Sequence, residues 1–216
     1  METDHRTLTA AGGAVRARRS ASKAATMSAR QIAARVFDLV LFIFIWGITP
    51  VLALIIVPSI HESGHVAACL IEGGAVTQWR LMPFGMEPHT TCTRITPLFC
   101  AAGSFTSIVA WLLCTYVFSR QVGRLGTGHL FNFAAVLWFW WSVWVFGELL
   151  EDAFHAYSDV PLHHDAGYFV HLTGINPTVA SAATFALLAI LIVPFLHVGA
   201  RTLKSLNTGK LESARQ

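Results

Sequence analysis

Four long runs without a charged residue constrain this chain more than any other feature. They lie between Asp38 and Glu62, Arg94 and Arg120, Arg124 and Glu148, and Asp165 and Arg201. Each run is long enough to cross a lipid bilayer, for which about 20 residues suffice. The composition agrees, because 54% of residues are hydrophobic and only 12% are charged, which is too apolar for an ordinary soluble domain. The sequence therefore predicts one polytopic membrane domain.

The distribution of charge predicts which side of the membrane each loop occupies. Of the fifteen Lys and Arg residues, all but Arg80 and Arg94 fall in residues 1–35, 119–128 or 201–216. The segment 148–165 has five acidic residues and no Lys or Arg. Because loops rich in Lys and Arg stay in the cytoplasm, we expect both termini and the 119–128 loop to be cytoplasmic. Residues 72–95 and 151–165 are then expected on the opposite side. A multi-pass protein of the plasma (inner) membrane is the expected localisation.

The predicted fold is an all-α polytopic membrane protein with about four transmembrane helices, at 36–70, 96–118, 129–150 and 177–200. The first span contains Pro50 and Pro58, so it is either one kinked helix or a tight pair broken near residue 47. The charge rule favours four spans over five. Between the first two spans, residues 73–95 are interrupted by Gly and Pro and contain strand-like pieces. They predict a small β-hairpin or re-entrant segment.

Three regions are expected along the chain. Residues 1–30 are rich in Ala, Arg, Ser and Thr without apolar periodicity, so a disordered basic leader is predicted. Residues 31–200 form the membrane domain, and 201–216 form a basic cytoplasmic tail. The leader has no interleaved aromatic residues, so the expected partner is the lipid bilayer and not nucleic acid. The cysteines form no CxxC pair, and we interpret them as packing residues without a disulfide framework.

A metal-site motif stands at the end of the first apolar run. Residues His61-Glu62-Ser63-Gly64-His65 read HExxH. On a helix, positions i and i+4 share a face, so both imidazoles can bind one metal ion. Glu62 lies beside them and can accept a proton from an attacking water. The alternative to a metal site is that the two histidines only face a neighbouring helix. Ionisable residues at membrane depth are costly, however, and usually functional.

A catalytic zinc site usually has a third protein ligand. The predicted topology places the acidic segment 148–165 on the same side as Glu62, so the third ligand is sought there. We favour Asp165 because Asp165-Ala166-Gly167-Tyr168-Phe169 reads as the first turn of a helix, where a carboxylate also faces the positive end of the helix dipole. A helix-capping or solvated Asp165 is the alternative reading. The other candidates are Asp152, Asp159, His163 and His164.

Several stretches together resemble the site-2 protease-like intramembrane zinc metalloproteases. HESGHVAACLIEGG after an apolar helix is similar to the family's active-site helix, and GGAV…MPFGMEP resembles the strand-like segment that follows. The span beginning Ala101-Ala102-Gly103-Ser104 resembles the small-residue helix, and HHDAGYFVHLTG resembles the region with the third zinc ligand. The resemblance covers about residues 45–175. Of the four stretches, only HExxH is specific on its own.

The resemblance implies a membrane-embedded zinc endopeptidase that cuts membrane-spanning substrates. It implies His61, His65 and Asp165 as zinc ligands and Glu62 as general base. Ser104 stands where the family often has proline, and the acidic motif reads Asp-Ala-Gly instead of Asp-Gly. With 216 residues there is no room for a PDZ-like domain, so substrate selection falls to the membrane part or to an adaptor.

Two other classes of function fit parts of the sequence. The first is a membrane di-iron oxidoreductase of the fatty-acid desaturase or hydroxylase kind, since His61 and His65 also read HxxxH and His163-His164 is a pair. Such enzymes have several HxxHH boxes, and this chain has one His-His pair. The second is a non-catalytic membrane scaffold, in which loss of Glu62 would have no consequence.

Overall fold

A computed structural model describes residues 29–80, 89–122, 128–158 and 164–213. The leader predicted for 1–30 therefore lies almost wholly outside the described residues. The chain divides into two compact units, 1–44 and 45–216. In the first unit, residues 29–44 are helical and expose large apolar side chains such as Phe37 and Phe44. The elements in chain order are α1 (Ala29–Ile71), β1 (Val76–Arg80), β2 (His89–Cys92), α2 (Pro97–Gln121), α3 (His129–Ser158), α4 (Asp165–Thr173) and α5 (Pro177–Ser213).

Four of the helices are long and apolar enough to cross a membrane, which confirms the prediction of a multi-pass membrane protein. The qualifying stretches are Gln31–Ile71, Pro97–Gln121, His129–Ser158 and Pro177–Ser205. α1 is one helix that contains both Pro50 and Pro58. Of the two readings of the first span, the structure has a single helix and not a broken pair.

Local sequence explains where the helices begin and end. Thr96 caps α2, because its side chain accepts a hydrogen bond from the Phe99 backbone N–H and Pro97 follows it. Gly174 ends α4 in the left-handed conformation with φ of 68°, which glycine adopts without strain. Asn176 then accepts from the Thr178 N–H at 2.9 Å as α5 begins at Pro177. The helix of the span predicted for 177–200 thus begins at Pro177.

The strand-like region after α1 forms a two-stranded antiparallel sheet, as expected. β1 pairs with β2 so that Trp79 faces Thr90 and Arg80 faces His89. Residues 81–88, between the strands, lie outside the described part of the chain. The expectation that the cysteines stay unpaired is wrong, because Cys69 near the end of α1 is disulfide-bonded to Cys92 on β2. Spacing along the sequence could not reveal this pair, since the fold of the hairpin brings the two residues together.

The core of the second unit lies between the helices. One buried cluster draws a side chain from each of the four long helices, and Trp111 and Val145 are almost fully buried in it. Polar contacts join α2 and α3: the Trp111 indole N–H donates to Ser142 Oγ at 2.8 Å, and that of Trp138 to Thr115 Oγ1 at 3.0 Å. Such bonds between membrane helices contribute about 0.6 kcal/mol each on average. They fix the rotation of α3 about its own axis. This helix carries several acidic residues near the candidate metal centre.

Candidate metal centre

Three of the predicted site residues converge on one point. His61 Nε2 and His65 Nε2 are 2.9 Å apart, and Asp165 Oδ2 is 2.9 Å from His65 Nε2 and 3.3 Å from His61 Nε2. A tetrahedral zinc ion about 2.0–2.1 Å from each ligand needs ligand atoms about 3.3 Å apart. The three atoms are therefore close to the spacing of a three-ligand zinc site, and α1 and α4 together supply them.

The other nitrogen of each imidazole is held by an acceptor. His65 Nδ1 lies 2.7 Å from the backbone carbonyl oxygen of Phe99, and His61 Nδ1 contacts Glu148 Oε1. A carbonyl oxygen only accepts, so His65 carries a proton on Nδ1 and, when neutral, a lone pair on Nε2. An ionised Glu148 imposes the same tautomer on His61. Histidines bound to metals almost always have such a partner behind them.

Positive charge is needed where these lone pairs meet, because three acceptor atoms in contact repel one another. Burial raises the pKa of Asp165, but positive charge on His61 and His65 lowers that pKa by more, so the net shift is downward. When the two imidazoles are neutral, a dication bound between them would supply that positive charge instead. Two imidazoles and one carboxylate form a donor set typical of catalytic zinc.

The space for an ion lies against Gly103 of α2. A methyl carbon added at Gly103 would come within 2.6 Å of His61 Cε1 and closer still to both Nε2 atoms. That position is near the place where an ion shared by the two imidazoles would be held. Glycine therefore keeps a cradle open in front of the histidines, which any larger residue would fill.

Glu62 directly follows His61 in the sequence, and its side chain is buried and isolated. It is only 5% exposed, and its Oε2 is buried without a hydrogen-bond partner among the described residues. Buried carboxylate oxygens without partners are costly and rare. An oxygen left free in this way is available to accept a proton from a small molecule that enters the site.

Two of the remaining third-ligand candidates, Asp152 and His164, are described by the structure, and neither belongs to this group of three. Asp152 accepts a hydrogen bond from Ser104 Oγ at 2.7 Å and is not one of the three converging residues. His164 precedes Asp165 but groups with Glu151 and His155 instead. Asp159 and His163 fall in 159–163, outside the described residues.

Sequence reasoning missed the groups that support the ligands. From the sequence, Glu148 is visible only as the residue that ends an uncharged run. The contacts of Phe99 and Gly103 depend on how α2 packs. One signal was available for Glu148, since it is an acidic residue at the end of a membrane-length apolar run, where a charge is usually functional. For the Phe99 carbonyl there was no signal, because every residue has one. Comparisons with protein-family models, with curated proteins and with solved structures find no match for this chain.

Proposed function

We propose that this chain is an intramembrane zinc endopeptidase that hydrolyses peptide bonds of membrane-spanning substrates. One observation carries the proposal: two imidazole nitrogens and a carboxylate oxygen lie within 3.3 Å of one another with their lone pairs facing a common point. The buried, unpartnered Oε2 of Glu62 beside them supports a proteolytic role over simple metal storage. The resemblance of the HExxH helix and its following segments to site-2 protease-like enzymes points the same way.

The chemistry assigned to each residue follows from its position. When bound, zinc supplies a Lewis acid that lowers the pKa of water and polarises the scissile carbonyl. Glu62 accepts the proton that water loses as its oxygen bonds to the carbonyl carbon, and then gives that proton to the amide nitrogen as the C–N bond breaks. Glu148 and the Phe99 carbonyl hold His61 and His65 in the orientation this requires.

Substrate binding is assigned to the β1–β2 sheet. A helical substrate hides its backbone, so it must unwind before hydrolysis, and an extended peptide can add to an unpaired sheet edge. A two-stranded sheet has such an edge on each strand. Cys92 on β2 is bonded to Cys69, four residues after the ligand His65, so the disulfide ties the sheet to the helix that carries the histidines. A membrane-protein substrate is the proposed partner, and an adaptor that presents it is a further candidate.

We also propose the plasma (inner) membrane, with both termini in the cytoplasm and the metal centre toward the other side. Two independent features support this orientation: the concentration of Lys and Arg outside 72–95 and 148–165, and the Cys69–Cys92 disulfide. Disulfides persist in oxidising compartments and are rare in the cytosol.

Glu62→Gln tests the function most directly. It keeps the size of the side chain and removes the base, so the purified variant should keep zinc and its fold while cleavage falls by about a hundredfold or more. In cells carrying the variant, uncleaved single-span membrane proteins should accumulate in the membrane proteome. Ser63→Ala is the matched control, because Ser63 is adjacent but its side chain is exposed and, among the described residues, donates its hydrogen bond to the Ile60 carbonyl.

Two outcomes would overturn the proposal in different ways. If Glu62→Gln loses zinc, Glu62 is a ligand and the site is built differently. If the variant keeps zinc and the membrane proteome of cells carrying it matches that of wild-type cells, the chain is not a protease. The non-catalytic membrane scaffold then becomes the better hypothesis.

The di-iron oxidoreductase is disfavoured by the arrangement of donors. The two groups of potential metal ligands among the described residues share no residue, so no carboxylate of these groups bridges two ions. Elemental analysis of the purified protein decides between the two: zinc without iron supports the protease, and two irons per chain support the oxidoreductase.

A further inference from the structure

A second group of metal-ligating side chains lies at the far end of α3. Glu151 and His155 are spaced i, i+4 on that helix and so share a face. His164, the residue just before α4, completes the group. His155 Nε2 and His164 Nδ1 each lie 3.6 Å from Glu151 Oε1, and one donor atom from each residue lies within 4.8 Å of the others.

These three side chains do not form hydrogen bonds with one another that would occupy their metal-binding atoms. A separation of 3.6 Å is too long for a hydrogen bond, yet it is close to the roughly 3.3 Å between neighbouring ligands of a tetrahedral zinc ion. The His155 Nδ1 is buried and has no partner among the described residues. Nothing there fixes which ring nitrogen carries the proton, so Nε2 is free to act as a ligand.

The donor types indicate the kind of ion. Two imidazoles and a carboxylate suit zinc and other late first-row dications, whereas calcium and magnesium prefer oxygen ligands. The rings of His155 and His164 stack with centroids 3.5 Å apart. A modest rotation of the more exposed His164 ring would direct its nitrogen at an ion held by the other two residues.

We infer that Glu151, His155 and His164 form a second site for a zinc-like dication, separate from His61, His65 and Asp165. The two groups share no residue. They also differ in burial, because the Glu151 side chain is 57% exposed and that of His65 only 4%. The second site is open to water, so its ion exchanges faster and binds more weakly. An ion there joins the last turns of α3 to the start of α4, directly beside Asp165. The inference does not depend on protease activity.

Zinc binding by the full chain in detergent or nanodiscs tests the inference. Titration with zinc in a competing metal buffer, followed by elemental analysis, should find a tight and a weaker class of one ion each. The pair His155→Gln and His164→Gln should lose the weaker class and keep the tight one, and His61→Ala should do the reverse. His171→Gln is the matched control, since His171 is exposed on α4 and belongs to neither group.

Cobalt gives a second readout that does not depend on stoichiometry. Tetrahedral cobalt absorbs strongly in the visible region, and addition of a second equivalent should raise that absorbance in the wild type but not in His155→Gln/His164→Gln. Glu151→Gln changes only an exposed side chain, so it should keep the fold. It should weaken the second class by about tenfold or more, because losing a ligand costs at least as much affinity as losing a group that supports one. A single class of zinc in the wild type, or an unchanged second class in the double variant, would overturn the inference.

Discussion

The orientation of each histidine depends on a contact behind its ring. The Phe99 carbonyl accepts from His65 Nδ1, and Glu148 contacts His61 Nδ1. The first partner is backbone and cannot be removed by a side-chain substitution. The second is a carboxylate contributed by a helix 87 residues further along the chain. The two ligands therefore differ in how far mutation can disturb them.

Glu148→Gln should weaken zinc binding without removing a ligand. The amide cannot match a carboxylate as acceptor for the His61 Nδ1–H, and loss of such partners typically costs about 10–100-fold in metal affinity. Competition with a chromophoric zinc chelator measures the change in Kd. Glu72→Gln is a suitable control, because Glu72 accepts from Thr96 and lies outside the ligand contacts. An unchanged Kd in Glu148→Gln would show that the contact does not support the ligand.

Gly103→Ala should abolish zinc binding at the first site while every donor atom remains. The added methyl would occupy the space in front of His61 Nε2 and His65 Nε2, and a shift of α2 is opposed by its packing. Gly199→Ala is the matched control, since a methyl at Gly199 in α5 meets nothing within 4 Å. Elemental analysis of both purified variants measures the effect. Full zinc occupancy in Gly103→Ala would place the ion elsewhere.

The sequence could predict some of these residues because their relation is local. His61 and His65 meet because the helix period brings positions four apart onto one face. Asp165 required an argument about topology and the resemblance to a family, because it lies 104 residues from His61. Glu148 and Gly103 could not be assigned, since their contacts depend on the rotation and depth of packed helices, which the hydrophobic pattern does not encode.

For the helices and strands, the lengths of the apolar runs and the residues that end them predict most of the fold. The four spans follow from the uncharged runs, and the hairpin follows from Gly and Pro residues that interrupt 73–95. Both signals depend only on neighbouring residues in the sequence. The third predicted span ends at residue 150, where acidic residues follow Glu148. The helix itself continues to Ser158, since no Gly or Pro follows Glu148 before Pro161. That extra length carries Asp152 and two residues of the second group, Glu151 and His155.

The disulfide between α1 and β2 gives a direct chemical prediction. Under denaturing, non-reducing conditions a maleimide should label two thiols, Cys100 and Cys114, and after reduction it should label four. Intact mass spectrometry counts the labels. Four labels without reductant would show that Cys69 and Cys92 are unpaired in the protein made by the cell.

Loss of that disulfide should destabilise the hairpin and the end of α1 together. Closing a loop of 23 residues contributes about 3 kcal/mol in the chain-entropy description. Cys69→Ser should therefore unfold at lower temperature than Cys114→Ser, which removes a free thiol. The thermal midpoint of each variant in detergent measures the difference. Equal midpoints would mean that the bond contributes nothing to stability.

For the whole molecule, the distribution of charge and the disulfide predict the same orientation. Reporter fusions at Glu87 and Asp159 should signal the non-cytoplasmic side, and a fusion at Arg124 should signal the cytoplasm. Paired alkaline phosphatase and green fluorescent protein fusions distinguish the two sides. A cytoplasmic signal at Glu87 would overturn the orientation proposed for the metal centre.

The order of ligands along the chain has a consequence for biogenesis. The disulfide joins residues only 23 apart, so it can close while the second half of the protein is still on the ribosome. Asp165 is made 104 residues after His61, and Glu148 also comes late. A chain whose synthesis stops early thus has both histidines but neither the third ligand nor the carboxylate behind His61. Under the proposed function, metal loading would therefore be a late step of maturation, and truncated chains left in the membrane would stay inactive.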